Sequence, residues 1–176
     1  MNILYIWEGC RLLPEERKQN IRLALDRYPQ AKFFCITKEK EFFDLRFNIV
    51  SWDETLRNIE EFFGVRDDIS KFDNYINFSD WARFYFLVNN PDTLYMDTDV
   101  TLAKEYDFEN EEKFLKPIRE ICLLYAPKNG AAENMIPILR KKLERRATYR
   151  ILMNIGRRMN GNWYSDISRD YFRHWR

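Results

Sequence analysis

The sequence predicts an α/β fold, a sheet covered by helices on both faces, and three observations carry that expectation. Short apolar, β-prone runs alternate with segments of helical spacing along most of the chain. The 176 residues amount to about one domain, taking roughly 100–200 residues per domain as usual. A 45% hydrophobic share can fill one substantial core, and only 5 Gly and 6 Pro leave no linker-like tract. A single domain over residues 1–176 follows. The 16% aromatic share suggests a site lined by flat rings as well as a packed interior.

Taken in order, Asn2–Trp7 is an apolar first strand broken at Gly9. Pro14 suits a first helical turn, Glu15 and Glu16 are favourable near a helix N-terminus, and Ile21, Ala24, Leu25 and Tyr28 recur at helical spacing until Pro29. Lys32–Thr37 and residues 47–50 read as buried strands, and residues 55–63 as a helix ending at Gly64. Residues 74–88 place Trp81, Phe84, Tyr85 and Val88 on one apolar helical face. Asn89-Asn90-Pro91-Asp92 is turn chemistry, and Thr93–Met96 is a strand running into Asp97-Thr98-Asp99. Residues 121–126 read as a further strand, and residues 137–150 as a basic helix extending towards Met159.

No apolar run approaches the roughly 18 residues of a membrane span. The first residues carry neither a basic leader nor a small-residue cleavage site, so no signal peptide is expected. Cys10, Cys35 and Cys122 are odd in number, scattered and without metal-ligand spacing. Reduced thiols in a cytoplasmic protein are the expectation.

The net charge of +1 conceals an asymmetry. Residues 138–176 carry eleven Lys and Arg against three acids, which is +8, leaving −7 for residues 1–137. An anionic partner for this basic C-terminal segment is one expectation: nucleotide phosphates, nucleic acid, or an anionic membrane surface holding the protein peripherally. A solvated basic helix docked on the acidic body is the other.

Asp97 and Asp99 are the candidate chemical centre. In an extended backbone residues i and i+2 point to the same side, so two carboxylates at a strand end would share one space. Hard cations such as Mg²⁺ and Mn²⁺ prefer such oxygen ligands and complete their shell with substrate phosphates. With 13 Asp in the chain, about one Asp-x-Asp is expected by chance, so the triplet alone decides nothing. Its context does. Asp80 and Arg83, three apart on the preceding helix, share a face. On spacing alone they are either an intrahelical ion pair or part of the same site.

Phe78-Ser79-Asp80-Trp81-Ala82-Arg83-Phe84-Tyr85-Phe86-Leu87, followed by Leu94-Tyr95-Met96-Asp97-Thr98-Asp99-Val100, resembles the donor-site signature of the DXD sugar-transferase superfamily. That superfamily includes capsular-polysaccharide glycosyltransferases, initiating mannosyltransferases of yeast and the large clostridial glucosylating toxins. Ile3-Leu4-Tyr5-Ile6-Trp7-Glu8-Gly9, Leu13-Pro14-Glu15 and Asn20-Ile21 resemble the family's opening strand and first helix in the same order. The similarity covers roughly residues 1–108, the expected donor-binding core. The turn before the Asp-x-Asp strand is one residue longer than the family's Gly-Gly turn.

The resemblance implies a GT-A-like, Rossmann-like nucleotide-sugar-binding domain with a basic, helical C-terminal tail, acting as a retaining hexosyltransferase. It implies a UDP-sugar or GDP-sugar donor, the former favoured, and Mn²⁺ or Mg²⁺. Trp7 would stack near the base or simply pack in the core. Tyr95 would border the nucleoside, and Ser79, Asp80 and Arg83 would hold the donor sugar and phosphate. Asp97 would reach the ribose and sugar, or the metal through water, and Asp99 would ligate the metal directly. The ending Tyr171-Phe172-Arg173-His174-Trp175-Arg176 is similar to a shortened form of the family's closing segment. There Trp175 would close over the diphosphate and His174 would be a third metal ligand or an ordinary surface residue. A glycan or lipid-linked glycan is the implied acceptor. A nucleic-acid or other polyanionic acceptor, or a non-catalytic nucleotide-sugar-binding module, are the alternatives.

Overall fold

The computed structural model describes residues 1–8, 13–38, 46–64, 75–117, 121–144 and 164–174. It begins with β1 (Asn2–Trp7), α1 (Glu15–Arg27), β2 (Lys32–Thr37) and β3 (Phe47–Ser51). Next come α2 (Trp52–Phe63), α3 (Tyr75–Asn89), β4 (Thr93–Met96), β5 (Val100–Leu102), β6 (Phe114–Lys116) and β7 (Leu123–Ala126). A 3-10 turn (Ala131–Met135), α4 (Ile136–Glu144), β8 (Tyr164–Asp166) and β9 (Phe172–His174) complete the set.

Seven strands form the central sheet in the order β3-β2-β1-β4-β7-β6-β8. The four strands from β3 to β4 are mutually parallel, β7 runs antiparallel to both its neighbours, and β6 and β8 are parallel to each other. The chain leaves β1 to build β2 and β3 on one side, then returns to lay β4 on the other. Open α/β sheets bind ligands at such a reversal, beyond the C-terminal strand ends, which here are those of β1 and β4. Trp7 ends β1, and Asp97 follows β4.

Period-2 alternation divides the core. Leu4, Ile6, Ile36, Tyr95 and Leu124 face α2, α3 and α4, while Ile3, Tyr5, Cys35, Leu94, Met96 and Tyr125 face α1 and the outlying β5–β9 pair. The expected two-sided cover is thus present. Pro14 sits one residue before α1, as its N-cap, and its carbonyl receives the N–H of Arg17 and Lys18.

Two expected boundaries shift. Helix α2 starts at Trp52 rather than at 55, because Ser51 Oγ accepts the N–H of Glu54 and caps it. Strand β7 starts at Leu123 rather than at 121, since the Ile121 and Cys122 carbonyls turn instead to Arg83 and to Asp97. The helical tail is present over Ile136–Glu144, and residues 145–163 lie outside the described residues. Residues 164–166 and 172–174 are extended, because their backbone groups pair with β6 and β5.

Candidate active site at the end of β4

The loop after β4 is a turn, not a continuation of the strand. Val100 N–H donates to the Asp97 carbonyl at 3.0 Å, closing a four-residue turn over Asp97-Thr98-Asp99-Val100. Asp97 N–H is held by the Cys122 carbonyl at 2.7 Å. The two carboxylates therefore converge by reversal of the backbone, not by the strand pleat expected from the i, i+2 spacing. Thr98, between them, points into the protein and is buried.

Helix α3 supplies the floor. It is buried through Phe78–Leu87 except for a half-buried Tyr85, so even its polar residues lie inside. Arg83 stands 3.0 Å from Asp80 and 3.7 Å from Asp97. Its Nε donates to the Ser79 carbonyl, Nη1 to the Ile121 carbonyl and Nη2 to Ser79 Oγ, at 3.0, 2.7 and 3.2 Å. The guanidinium also lies over the Tyr95 ring, 4.5 Å from its centroid, while Tyr95 donates its hydroxyl proton to Asp97 Oδ1. Ser79, Asp80, Arg83 and Tyr95 thus form a buried base beneath Asp97. The Arg83 side chain is only 6% exposed.

Burial sets the protonation of this base. The Asp80 carboxyl is pushed up to about 6 by burial, partly offset by Arg83, with Asp97 adding to the rise. Asp97 is raised for the same first reason, opposed by Arg83 and by the Tyr95 hydrogen bond, with the Asp99 charge raising it further.

The wall comes from α1. Arg17 Nη1 donates to Thr98 Oγ1 at 2.9 Å, and Nη2 lies 3.7 Å from Asp99 Oδ2. Its guanidinium carbon is 5.4 Å from the centroid of the Trp7 ring. Asn20 donates to the Thr98 carbonyl at 3.1 Å and accepts from Thr101 Oγ1 at 2.5 Å. None of these roles is visible in the sequence, because Arg17 and Thr98 are 81 positions apart and Arg17 is one of several cations on an amphipathic helix.

The roof is β9. Its ladder sets His174 opposite Val100, which brings His174 Nε2 to 3.4 Å from Asp99 Oδ1. One ligand atom from each of Asp97, Asp99 and His174 falls within 4.8 Å of the others. Asp99 Oδ1 is buried and accepts no hydrogen bond among the described residues. An oxygen-rich trio with such an acceptor fits a hard divalent cation. Trp175 lies outside the described residues.

Among the described residues, no helix is long and apolar enough to cross a membrane. No protein-family model and no curated protein matches the chain. Solved structures do. The PaToxG glycosyltransferase aligns at a TM-score of 0.57 and 19% identity over 86% of this chain, which spans 63% of that protein's length. A protein described as a transferase aligns at 0.54 and 10%, covering 98% of this chain and 92% of its own. The CTP:phosphocholine cytidylyltransferase LicC of Streptococcus pneumoniae aligns at 0.51 and 10%, covering 99% and 92%. The chain therefore has a mixed α/β, Rossmann-like fold of the kind found in a glycosyltransferase and a nucleotidyltransferase.

Proposed function

We propose that this protein is a metal-dependent glycosyltransferase. It moves a sugar from a nucleotide-diphosphate sugar, UDP-linked in preference to GDP-linked, to a hydroxyl of a glycan or lipid-linked acceptor. The observation that supports this reading best is the convergence of Asp97, Asp99 and His174 beyond the C-terminal end of β4, where the strand order reverses. The fold shared with a glycosyltransferase supports it as well.

In this reading Asp99, with Asp97 and His174, holds Mn²⁺ or Mg²⁺, which supplies charge neutralisation for the diphosphate leaving group. The anomeric bond to the diphosphate breaks, the bond to the acceptor oxygen forms with retention of configuration, and the acceptor hydroxyl's proton passes to the departing diphosphate. The chain's own part is orientation. Trp7 offers the base a flat ring at the end of β1, and Asp97 sits where it can also meet ribose or sugar hydroxyls. Ser79, Asp80, Arg83 and Tyr95 act from below, keeping Asp97 in place and its charge balanced.

Calorimetric titration of UDP in the presence and absence of Mn²⁺ tests the assignment. Wild type is expected to bind UDP tightly only with the metal, and Asp99→Ala to lose that dependence. Unchanged Mn²⁺-dependent binding in the variant would sink the reading. Slow hydrolysis of a UDP-sugar without acceptor marks an enzyme, whereas UDP binding with neither hydrolysis nor transfer marks a non-catalytic binding module. The +8 charge of residues 138–176 favours a second reading of the acceptor as a polyanion such as nucleic acid. A duplex-DNA gel shift that weakens steeply with salt supports it, and no shift at low salt removes it.

A further inference from the structure

Arg83, although beside both carboxylates, is sealed beneath them and spends its donors on Ser79 and Ile121. A diphosphate approaching from solvent meets a different arginine. The Arg17 side chain is about a third exposed, 34%, beside Asp99. It touches three groups of the proposed donor site at once: Asp99 Oδ2, the Thr98 hydroxyl and the Trp7 ring.

We propose that Arg17 occupies the donor site as a built-in cation and is exchanged from Asp99 to the donor's diphosphate when metal and nucleotide arrive. The inference rests on the metal-dependent nucleotide reading above and deepens it. Its Asp99 contact, at 3.7 Å, is a loose ion pair to the carboxylate assigned to the metal. A divalent cation on Asp99 repels a guanidinium on that carboxylate, and so loosens the contact. The same guanidinium lies over the Trp7 ring, so a base stacking on that face also displaces it. Once displaced, it stays tethered to α1 next to Asp99, where its planar fork matches two phosphate oxygens. The rest of the wall does not depend on this movement. Asn20 keeps hold of the Thr98 carbonyl and of Thr101.

The exchange makes Arg17 oppose metal binding and favour nucleotide binding. A residue that merely braces the turn would favour both. The experiment measures Mn²⁺ affinity alone, by electron paramagnetic resonance of free Mn²⁺, and then UDP affinity at saturating Mn²⁺ by calorimetry. Arg17→Gln is expected to bind Mn²⁺ several-fold more tightly and UDP about tenfold more weakly than wild type, a usual size for one charge-assisted phosphate contact. Arg17→Lys, which keeps the charge without the fork, is expected to fall between wild type and Arg17→Gln in both. Mn²⁺ affinity that is unchanged or reduced in Arg17→Gln overturns the exchange, as does unchanged UDP affinity. Failure of the underlying reading looks different: Asp99→Ala would then bind Mn²⁺ as well as wild type does.

Discussion

With its nitrogens turned to Ser79 and Ile121, the Arg83 guanidinium is the countercharge for buried Asp80 and for Asp97. Replacing it by Met removes the cation that lowers the Asp80 pKa, so the buried carboxyl loses its partner and takes up a proton more readily, at a cost of up to about 3–5 kcal/mol. Arg83→Met is therefore expected to lower the denaturation midpoint steeply, and Arg83→Lys to recover only part, since an ammonium cannot reproduce the fork. Asp80 contributes a pH dependence of its own to the stability of the metal-free protein. Its folded pKa of about 6 exceeds the ordinary 3.8, so the folded state binds the proton more tightly than the unfolded chain does. This contribution is most favourable in acid and declines as pH rises from about 4 to about 6, by roughly 3 kcal/mol in all. Melting curves across that window should show wild type losing ground to Asp80→Asn, which does not titrate. A difference independent of pH would contradict the shifted carboxyl.

At the scale of elements, small pieces position the site. Helix α2 is bounded by the Ser51 cap and by Gly64, whose φ of +73° lies in the left-handed region. Ser51→Ala should cost about 1 kcal/mol in a chemical denaturation curve, through loss of the hydrogen bond to Glu54 N–H. A Cβ at Gly64 meets nothing within 4 Å, so the cost of Gly64→Ala is backbone strain alone, about 1–2 kcal/mol. In the proposed function strand β9 matters more, because it presents His174. Phe172 is buried and pairs with Leu102 across the ladder, two residues from His174. Phe172→Ala is expected to cost about 3–5 kcal/mol of stability. It should also weaken Mn²⁺ binding without touching a ligand, because the strand that presents His174 loses its anchor. Mn²⁺ affinity equal to wild type in a folded Phe172→Ala protein would show that β9 does not set the metal site.

For the whole molecule, the fold gathers α1, α3, β1, β4 and β9 around the turn of Asp97 to Asp99, so the proposed ligand seated there would tie five elements together. Only the folded chain presents that arrangement, and UDP with Mn²⁺ at about 100 times its dissociation constant should add about 2.7 kcal/mol of stability. Thermal shift is expected to show a rise with UDP and Mn²⁺ together, little with UDP alone, and none in Asp99→Ala. The same assay across nucleotide-sugars ranks the donors.

Much of this architecture is legible along the chain, because it depends on near neighbours. β1, β2 and β4 show themselves as apolar runs between turn residues, and their edges agree with the structure. Asp80 and Arg83 were readable as a pair because a helix puts residues three apart on one face. The start of α2 was readable too, in Ser51 followed by Glu54, although the apolar pattern alone placed it three residues late. Strands β5, β6, β8 and β9 have three residues each, too few for a period to register, and exist because their backbone groups find partners across the fold. The sequence by itself thus determined an α/β sheet, a carboxylate pair after its fourth strand and an acid–arginine pair on the helix before it. Tertiary structure decided that Asp97 and Asp99 meet through a turn, that Arg83 is buried beneath them, that Arg17 lies against Asp99, and that His174, open in the sequence between a ligand and a surface residue, stands beside both carboxylates. Those outcomes depend on registers between distant segments, which are chosen by packing of the whole core and leave no local trace in residue order.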